Sequence, residues 1–266
     1  MPRLYRQLMA LNRIENAYEN WEDYRENLTR FILENGFEGG SLMIVGAGEC
    51  NDFALKHLAE RFSEVILSDI DTDSVRRGLE RQNIACGRIR IDKTDLVGIP
   101  EERYECFGVR LENLLRTGGT ISAETFTAEM LAAWKEHKPV KLPTADTVVC
   151  CGVHSQLFSV YPRMAQLASR YVPVDMAEVL KTAQTVDTDI ARKVNAELFR
   201  AATRTLIVGA EAESSGFSGG VEGAAQALEH LDRTHAADRI TELMWPFLPQ
   251  AGRTFRMSIR AYSTGS

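Results

Sequence analysis

Two glycines, three aspartates and a histidine stand where chemistry on a nucleoside-bearing ligand would need them. Gly46-Ala47-Gly48 ends the apolar run Leu42–Val45, and Asp69, 23 residues beyond Gly46, ends a second apolar run at Val65–Leu67. Glycines at the first turn let the backbone approach a ligand closely, and a carboxylate at the tip of the next strand can accept both ribose hydroxyl protons. Asp71 and Asp73 compete for that role, but Asp69 directly follows the apolar run while Asp71 falls where a helix begins. Three carboxylates this close repel one another unless something donates to them. A dinucleotide fingerprint wants a third glycine, and here that position is Asn51, followed by Asp52. A carboxylate facing a pyrophosphate repels it, whereas it suits a cationic, phosphate-free ligand. Asp52 could equally cap the helix that starts nearby.

The elements that must position these groups follow from periodicity. The pattern predicts strands at 41–45, 64–69, 88–92, 147–151 and 205–208. It predicts helices at 51–62, 73–82 (opened by Thr72 or Asp73), 100–116, 122–137, 155–171, 175–202 and 221–234. Residues 3–35 read as helical, with Tyr18, Trp21 and Tyr24 as one stripe that either packs on the core or serves as a lid. The segment 210–220, rich in serine and glycine, reads as a loop. The runs 240–248 and 254–262 read as an antiparallel closing pair, since Phe255, Met257, Ile259 and Ala261 alternate with polar residues. Strand–helix alternation implies an α/β fold, a doubly wound and mostly parallel seven-stranded sheet with an antiparallel closing strand. The expected organisation is an N-terminal helical cap over 1–40 and a Rossmann-like domain over 41–266, with a helical insertion at about 100–140.

This glycine turn, acidic follow-up and strand order resemble those of the class I S-adenosylmethionine (SAM)-dependent methyltransferases, and within them an uncharacterised bacterial subgroup. The resemblance covers roughly residues 41–210. SAM, with its sulfonium and ammonium, is then the expected cofactor. The resemblance implies that Gly46, Ala47 and Gly48 wrap its methionine part, with Asp52 near the ammonium. It places Asp69 on the ribose and Ile70 beside the adenine ring. Asp95 would accept from the adenine amino group and Leu96 would donate its backbone N–H to the ring. It also puts Cys151, at the tip of the fourth strand, on the cofactor side. By chemistry alone Cys150 and Cys151 read as packing residues, with no base and orienter beside them. His154, just past that strand, lies at a carboxyl end where ligands sit in doubly wound sheets. A neutral imidazole there could take a proton from an attacking hydroxyl, amine or carboxylic acid. The bland alternative is a helix-start histidine bonded to backbone. His235, Arg239 and Trp245 could line the substrate side, though nothing in their spacing singles them out.

Composition narrows the partners. The 266 residues carry 44% hydrophobic and 26% charged residues, ordinary for a globular enzyme, and a net charge of −6. That balance argues against nucleic acid, as does the missing Asn-Pro-Pro-Tyr-type signature of amino-methylating nucleic-acid enzymes. No apolar run reaches the ~20 residues of a membrane span, and the N-terminus lacks a signal-peptide pattern. Five cysteines without a C-x-x-C pair read as reduced thiols, with no metal site, and point to the cytoplasm. The expected function is methyl transfer to an oxygen or nitrogen of a small molecule or peptide. The alternatives are a nicotinamide-dependent oxidoreductase on the same sheet and a regulatory protein that binds SAM without turnover. The sequence leaves the oligomeric state open.

Overall fold

Apolar strands build the core of one of the chain's two compact units. The computed structural model describes residues 14–84, 87–215 and 223–265. The chain divides into two compact units, one built on the sheet (Glu15–Leu96, Val140–Ser155 and Ala191–Ser266) and one helical (Val97–Pro139 with Gln156–Ile190).

In the sheet unit, β1 (Ser41–Val45), β2 (Glu64–Asp69), β3 (Ile89–Lys93), β4 (Ala145–Cys151), β5 (Ala202–Ser214), β6 (Arg239–Leu248) and β7 (Arg253–Ser263) form one sheet of order β3-β2-β1-β4-β5-β7-β6. β1 through β5 pair in parallel, with Ile44 opposite both Leu67 and Val149. β7 is antiparallel to both its neighbours. Parallel strands are covered on both faces, which is why Leu42–Val45 is an unbroken apolar run and 0–1% exposed throughout. This is the doubly wound, mostly parallel sheet with an antiparallel closing strand that the periodicity predicts.

Several boundaries differ for physical reasons. The helix after the glycine turn, α3 (Leu55–Arg61), starts later than 51, because the turn that holds Gly46, Gly48 and Cys50 at left-handed φ (74°, 52° and 55°) runs on through 51–54, and Ala54 at φ −83°, ψ 84° is still outside the helical region. The following helix, α4 (Thr72–Arg81), is capped by Asp71 rather than by Thr72 or Asp73; its carboxylate accepts from the Asp73 and Ser74 N–H groups, both at 3.2 Å. β5 runs on to Ser214, so part of the expected 210–220 loop is strand, held by its antiparallel register with β7. The expected 155–171 helix is a short 3-10 turn at His154–Gln156 followed by α7 (Val160–Ala168) in the helical unit.

Of the N-terminal helical stretch, residues 1–13 lie outside the described residues; α1 (Ala17–Asn20) and α2 (Glu22–Asn35) break at Trp21. Trp21 and Tyr24 are 5% and 2% exposed, and they pack on the sheet unit's own aromatics. Trp21 meets Trp245 edge-on at 5.0 Å, and Tyr24 stacks on Trp245 at 5.6 Å. Each such pair contributes about 0.5–1.5 kcal/mol beyond burial.

The helical unit holds α5 (Glu101–Thr117), α6 (Ala123–Lys135), α7 and the start of α8 (Met176–Ala201). Gly118 ends α5 at φ 68°, and Gly119 N–H bonds the Leu114 carbonyl at 2.8 Å. Phe107, Phe126 and Tyr161 form its aromatic core, and Trp134 Nε1–H donates to Asp189 at 2.9 Å. Among the described residues no helix is long and apolar enough to cross a membrane.

Candidate active site

The carboxyl ends of β1, β2, β3 and β4 gather the sequence-predicted residues on one rim of the sheet unit. At the end of β1, Gly46 and Ala47 donate their N–H groups to the Ser68 carbonyl at 2.8 and 3.2 Å, stitching the turn to β2. Gly48 N–H donates to Asp69 Oδ2 at 2.8 Å, and Asp71 N–H donates to Oδ1 at 2.8 Å. Each carboxylate oxygen has further lone-pair capacity, so Asp69 is fixed in aim while still able to accept from two hydroxyls. Burial pushes its pKa up, and the backbone donors from Asp71 and Gly48 pull against that. Thr94 N–H bonds the Asp69 carbonyl at 3.1 Å, which brings the half-buried Asp95 and Leu96 alongside. Ile70 is half-buried between Asp69 and the Asp71 cap.

Gly46 and Gly48 differ in what surrounds them. A Cβ on Gly46 would lie 2.3 Å from Val153 Cγ2, so the exit of β4 is pressed against the turn. A Cβ on Gly48 would meet nothing within 4 Å, which leaves room for a ligand. Gly46→Ala should therefore cost at least about 2 kcal/mol in a urea titration, from positive φ plus overpacking, and Gly48→Ala only the backbone part, about 1–2 kcal/mol.

The loop from 46 to 54 is over-determined. Gln82 Nε2 donates to the Cys50 and Phe53 carbonyls at 2.8 and 3.0 Å, and its Oε1 accepts from Leu55 N–H at 3.0 Å. Glu49 pairs with Arg77 and Arg81 at 3.0 and 2.6 Å. From α2, Thr29 Oγ1 accepts from Ala54 N–H at 2.9 Å, and Arg25 donates to the carbonyls of Tyr18 and Asn51. Inside that frame Asp52 does not cap α3, whose first N–H, that of Leu55, is taken by Gln82 Oε1. Its Oδ1 is buried without a partner among the described residues. Burial raises its pKa to about 7, against the pull of Arg25 and with a push from Glu211.

Cys151 is buried, with its thiol pKa pushed well up by burial, so it is inert as a nucleophile. Its Sγ would lie 2.8 Å from a Cβ on Gly209, and that glycine is what admits it. His154 is 2% exposed and bonds through Nε2 to Asn195 Oδ1 at 2.9 Å, while Nδ1 is unpartnered among the described residues. Asn195 in turn donates to the Ala227 carbonyl at 3.2 Å. An N–H at Nε2 facing a carbonyl-type oxygen leaves Nδ1 as the lone-pair side. Burial lowers the His154 pKa to about 4, so the ring is neutral at pH 7. The unfolded chain then binds a proton from pH 6.5 downward that the folded chain refuses until about 4. Stability that is full above 6.5 should fall by about 3 kcal/mol as pH drops to 4, and His154→Gln should abolish that part of the slope in urea titrations at pH 7.5 and 4.5.

Sequence reasoning missed Glu211, Ser155 and the setting of Trp245. Ser155 Oγ donates to Glu211 Oε1 at 2.7 Å, and Glu211 is 2% exposed on β5. The signal was present: Glu211 is an acid at the end of an apolar run, Leu206–Ala210, the pattern that marks Asp69. Trp245 joins Trp21, Tyr24, Phe247 and Phe255 in one aromatic cluster, whereas His235 stacks on Phe199 at 3.6 Å.

No protein-family model matches the chain, and no curated protein matches it by sequence. Solved structures do. The N-methyltransferase NodS from Bradyrhizobium japonicum WM9, in complex with S-adenosyl-L-homocysteine (SAH), matches at TM-score 0.51 and 12% identity, over 98% of this chain and 98% of its own. The magnesium protoporphyrin IX methyltransferase ChlM from Synechocystis PCC 6803 with bound SAH matches at TM-score 0.49 and 13% identity, over 93% of this chain and 84% of its own. With the sheet order and the glycine turn described above, the chain has the fold of the class I SAM-dependent methyltransferases.

Proposed function

We propose that this protein is a SAM-dependent methyltransferase acting in the cytoplasm on an oxygen or nitrogen of a small molecule or peptide rather than on nucleic acid. The observation that carries the reading is the paired setting of Asp69 and Asp52 around one glycine turn. Asp69 is held by Gly48 N–H with accepting capacity left over, and Asp52 presents a buried, unpartnered oxygen. The first suits a ribose diol and the second an ammonium, and the open side of Gly48 suits the chain between them. A buried carboxylate behind the turn opposes a pyrophosphate, which disfavours a nicotinamide dinucleotide.

In this reading Gly46, Ala47 and Gly48 line the methionine part, and Asp52 holds its ammonium. Asp69 takes the ribose hydroxyls and Ile70 flanks the adenine. Asp95 accepts from the adenine amino group, Leu96 donates to the ring, and Cys151 packs beside the site. Bound there, SAM would supply an electrophilic methyl to the acceptor's lone pair, with SAH as the leaving group. His154 acts as a neutral hydrogen-bond acceptor through Nδ1, since burial makes it a weak base at pH 7. Orientation of acceptor and methyl then contributes most of the rate. NodS, an N-methyltransferase, agrees with a nitrogen acceptor. Calorimetric titration with SAM, SAH and NAD in parallel tests the reading. Binding of both adenosyl ligands without NAD supports it; NAD binding, or no binding of any of the three, overturns it.

A further inference from the structure

Glu211 is a buried acid outside the cofactor residues named above. It stands on β5 two residues beyond Gly209, on the face that Gly209 shares with its register partner Cys151. Oε1 is held by the Ser155 hydroxyl at 2.7 Å, and Oε2 is buried without a partner among the described residues. Asp52 Oδ1 is in the same condition. The two carboxylates lie within electrostatic reach of each other, and each also acts on the Tyr24 phenol and the Cys151 thiol, so four groups converge. Two buried carboxylates with unpaired oxygens repel across a low-dielectric interior unless positive charge lies among them. Arg25 and, in the reading above, the cofactor ammonium answer Asp52, while Glu211 is answered by neutral donors, the Ser155 hydroxyl and its own backbone N–H.

Tyr24, within electrostatic reach of Glu211, stacks on Trp245, which reaches to 3.4 Å from a Cβ built on Gly152 at the exit of β4. Aromatic faces near a carboxylate suit an organic ammonium group. A hard metal ion would need about six oxygens, and among the described residues no three His, Cys, Asp or Glu side chains could hold one.

Resting on the methyltransferase reading, we propose that Glu211 Oε2 receives the methyl acceptor, and that this acceptor is an alkyl or arylalkyl amine entering as its ammonium. The ammonium N–H bonds to Oε2 and passes one proton to it. The nitrogen is left neutral with its lone pair free, and Glu211 becomes a carboxylic acid that returns the proton to solvent after the product leaves. Ser155 positions the carboxylate by occupying Oε1.

Calorimetry on the SAH-loaded protein tests this without requiring turnover. The probes are n-butylamine and 2-phenylethylamine against n-butanol and 2-phenylethanol. The amines should bind at least tenfold more tightly than the alcohols in the wild type, an arm that needs no variant. Glu211→Gln, which keeps the shape and the Ser155 bond, should lower amine affinity tenfold or more and leave SAH affinity within twofold. Equal binding of amines and alcohols, no amine binding to the SAH-loaded protein, or equal loss of SAH and amine in Glu211→Gln would each overturn the proposal. Failure of the wild type to bind SAH at all would instead sink the methyltransferase reading beneath it.

Discussion

Asp69→Ala should weaken SAH binding by two orders of magnitude or more. Two hydroxyl donors to one carboxylate are worth about 1.5–3 kcal/mol each, and about 1.4 kcal/mol is tenfold in affinity. The alanine also frees Gly48 N–H and Asp71 N–H, the two donors that Asp69 fixes at 2.8 Å, so the turn itself loosens. Asp69→Asn retains one acceptor oxygen and should fall between wild type and alanine. Titration calorimetry at matched fractions folded, checked by a melting curve, reads the effect. An alanine variant that binds SAH as wild type does would remove Asp69 from the site and with it the ribose assignment.

Asp52→Asn should make the free protein more stable and the ligand complex weaker. The pKa of Asp52 goes from 3.8 to about 7 on folding, chiefly through burial. A folded pKa above the unfolded one means that the unfolded chain ionises first. Below pH 3.8 the group contributes no penalty; the penalty grows from there to about 7 and then stays constant at about 4 kcal/mol. At pH 8 the asparagine variant should thus unfold at a midpoint roughly 10 °C higher, with the gain vanishing near pH 4. This slope is opposite in sign to that of His154, so the wild type shows only their partial cancellation, and single variants are needed to separate them. SAH affinity at pH 8 should drop tenfold or more in the same variant. An asparagine variant no more stable than wild type at pH 8 would show that Asp52 has a partner already. A stabilising substitution that costs binding is what a strained functional site is expected to give.

The sheet was legible because its signals are short-range and strong. Leu42–Val45 followed by Gly46-Ala47-Gly48 specifies strand and turn together, and the alternation from Phe255 to Tyr262 specifies a half-buried strand. Less legible was anything decided by contacts between distant segments. The start of α3 depends on Gln82, 27 residues later, accepting from Leu55 N–H. Cys50 holds a left-handed φ that its residue type does not advertise. β5 continues into what reads as a flexible stretch because β7 pairs with it as far as Ser214 opposite Phe255. At the site, the place of Asp69 at a strand tip was readable, and Asp71, its neighbour in the sequence, serves as the cap of α4. Glu211 carried the same local signal, but its meaning depends on Ser155, 56 residues away, and on a face shared with Cys151.

The position of β7 between β5 and β6 sets an order of assembly. β6 is hydrogen-bonded to β7 alone within the sheet, so it has nothing to join until residues 253–263 are available. The hairpin closes locally and must then insert as a unit along β5, a pairing that spans some fifty residues of chain. The glycine turn and Asp69 need no part of it, whereas Gly152 at the β4 exit is packed by Trp245 and Met257 of the hairpin. Trp245 and Phe255 arrive only with the hairpin. A chain halted before that step would have the glycine-turn rim without the aromatic cluster around Trp245, and the two indoles of Trp21 and Trp245 report when the hairpin docks.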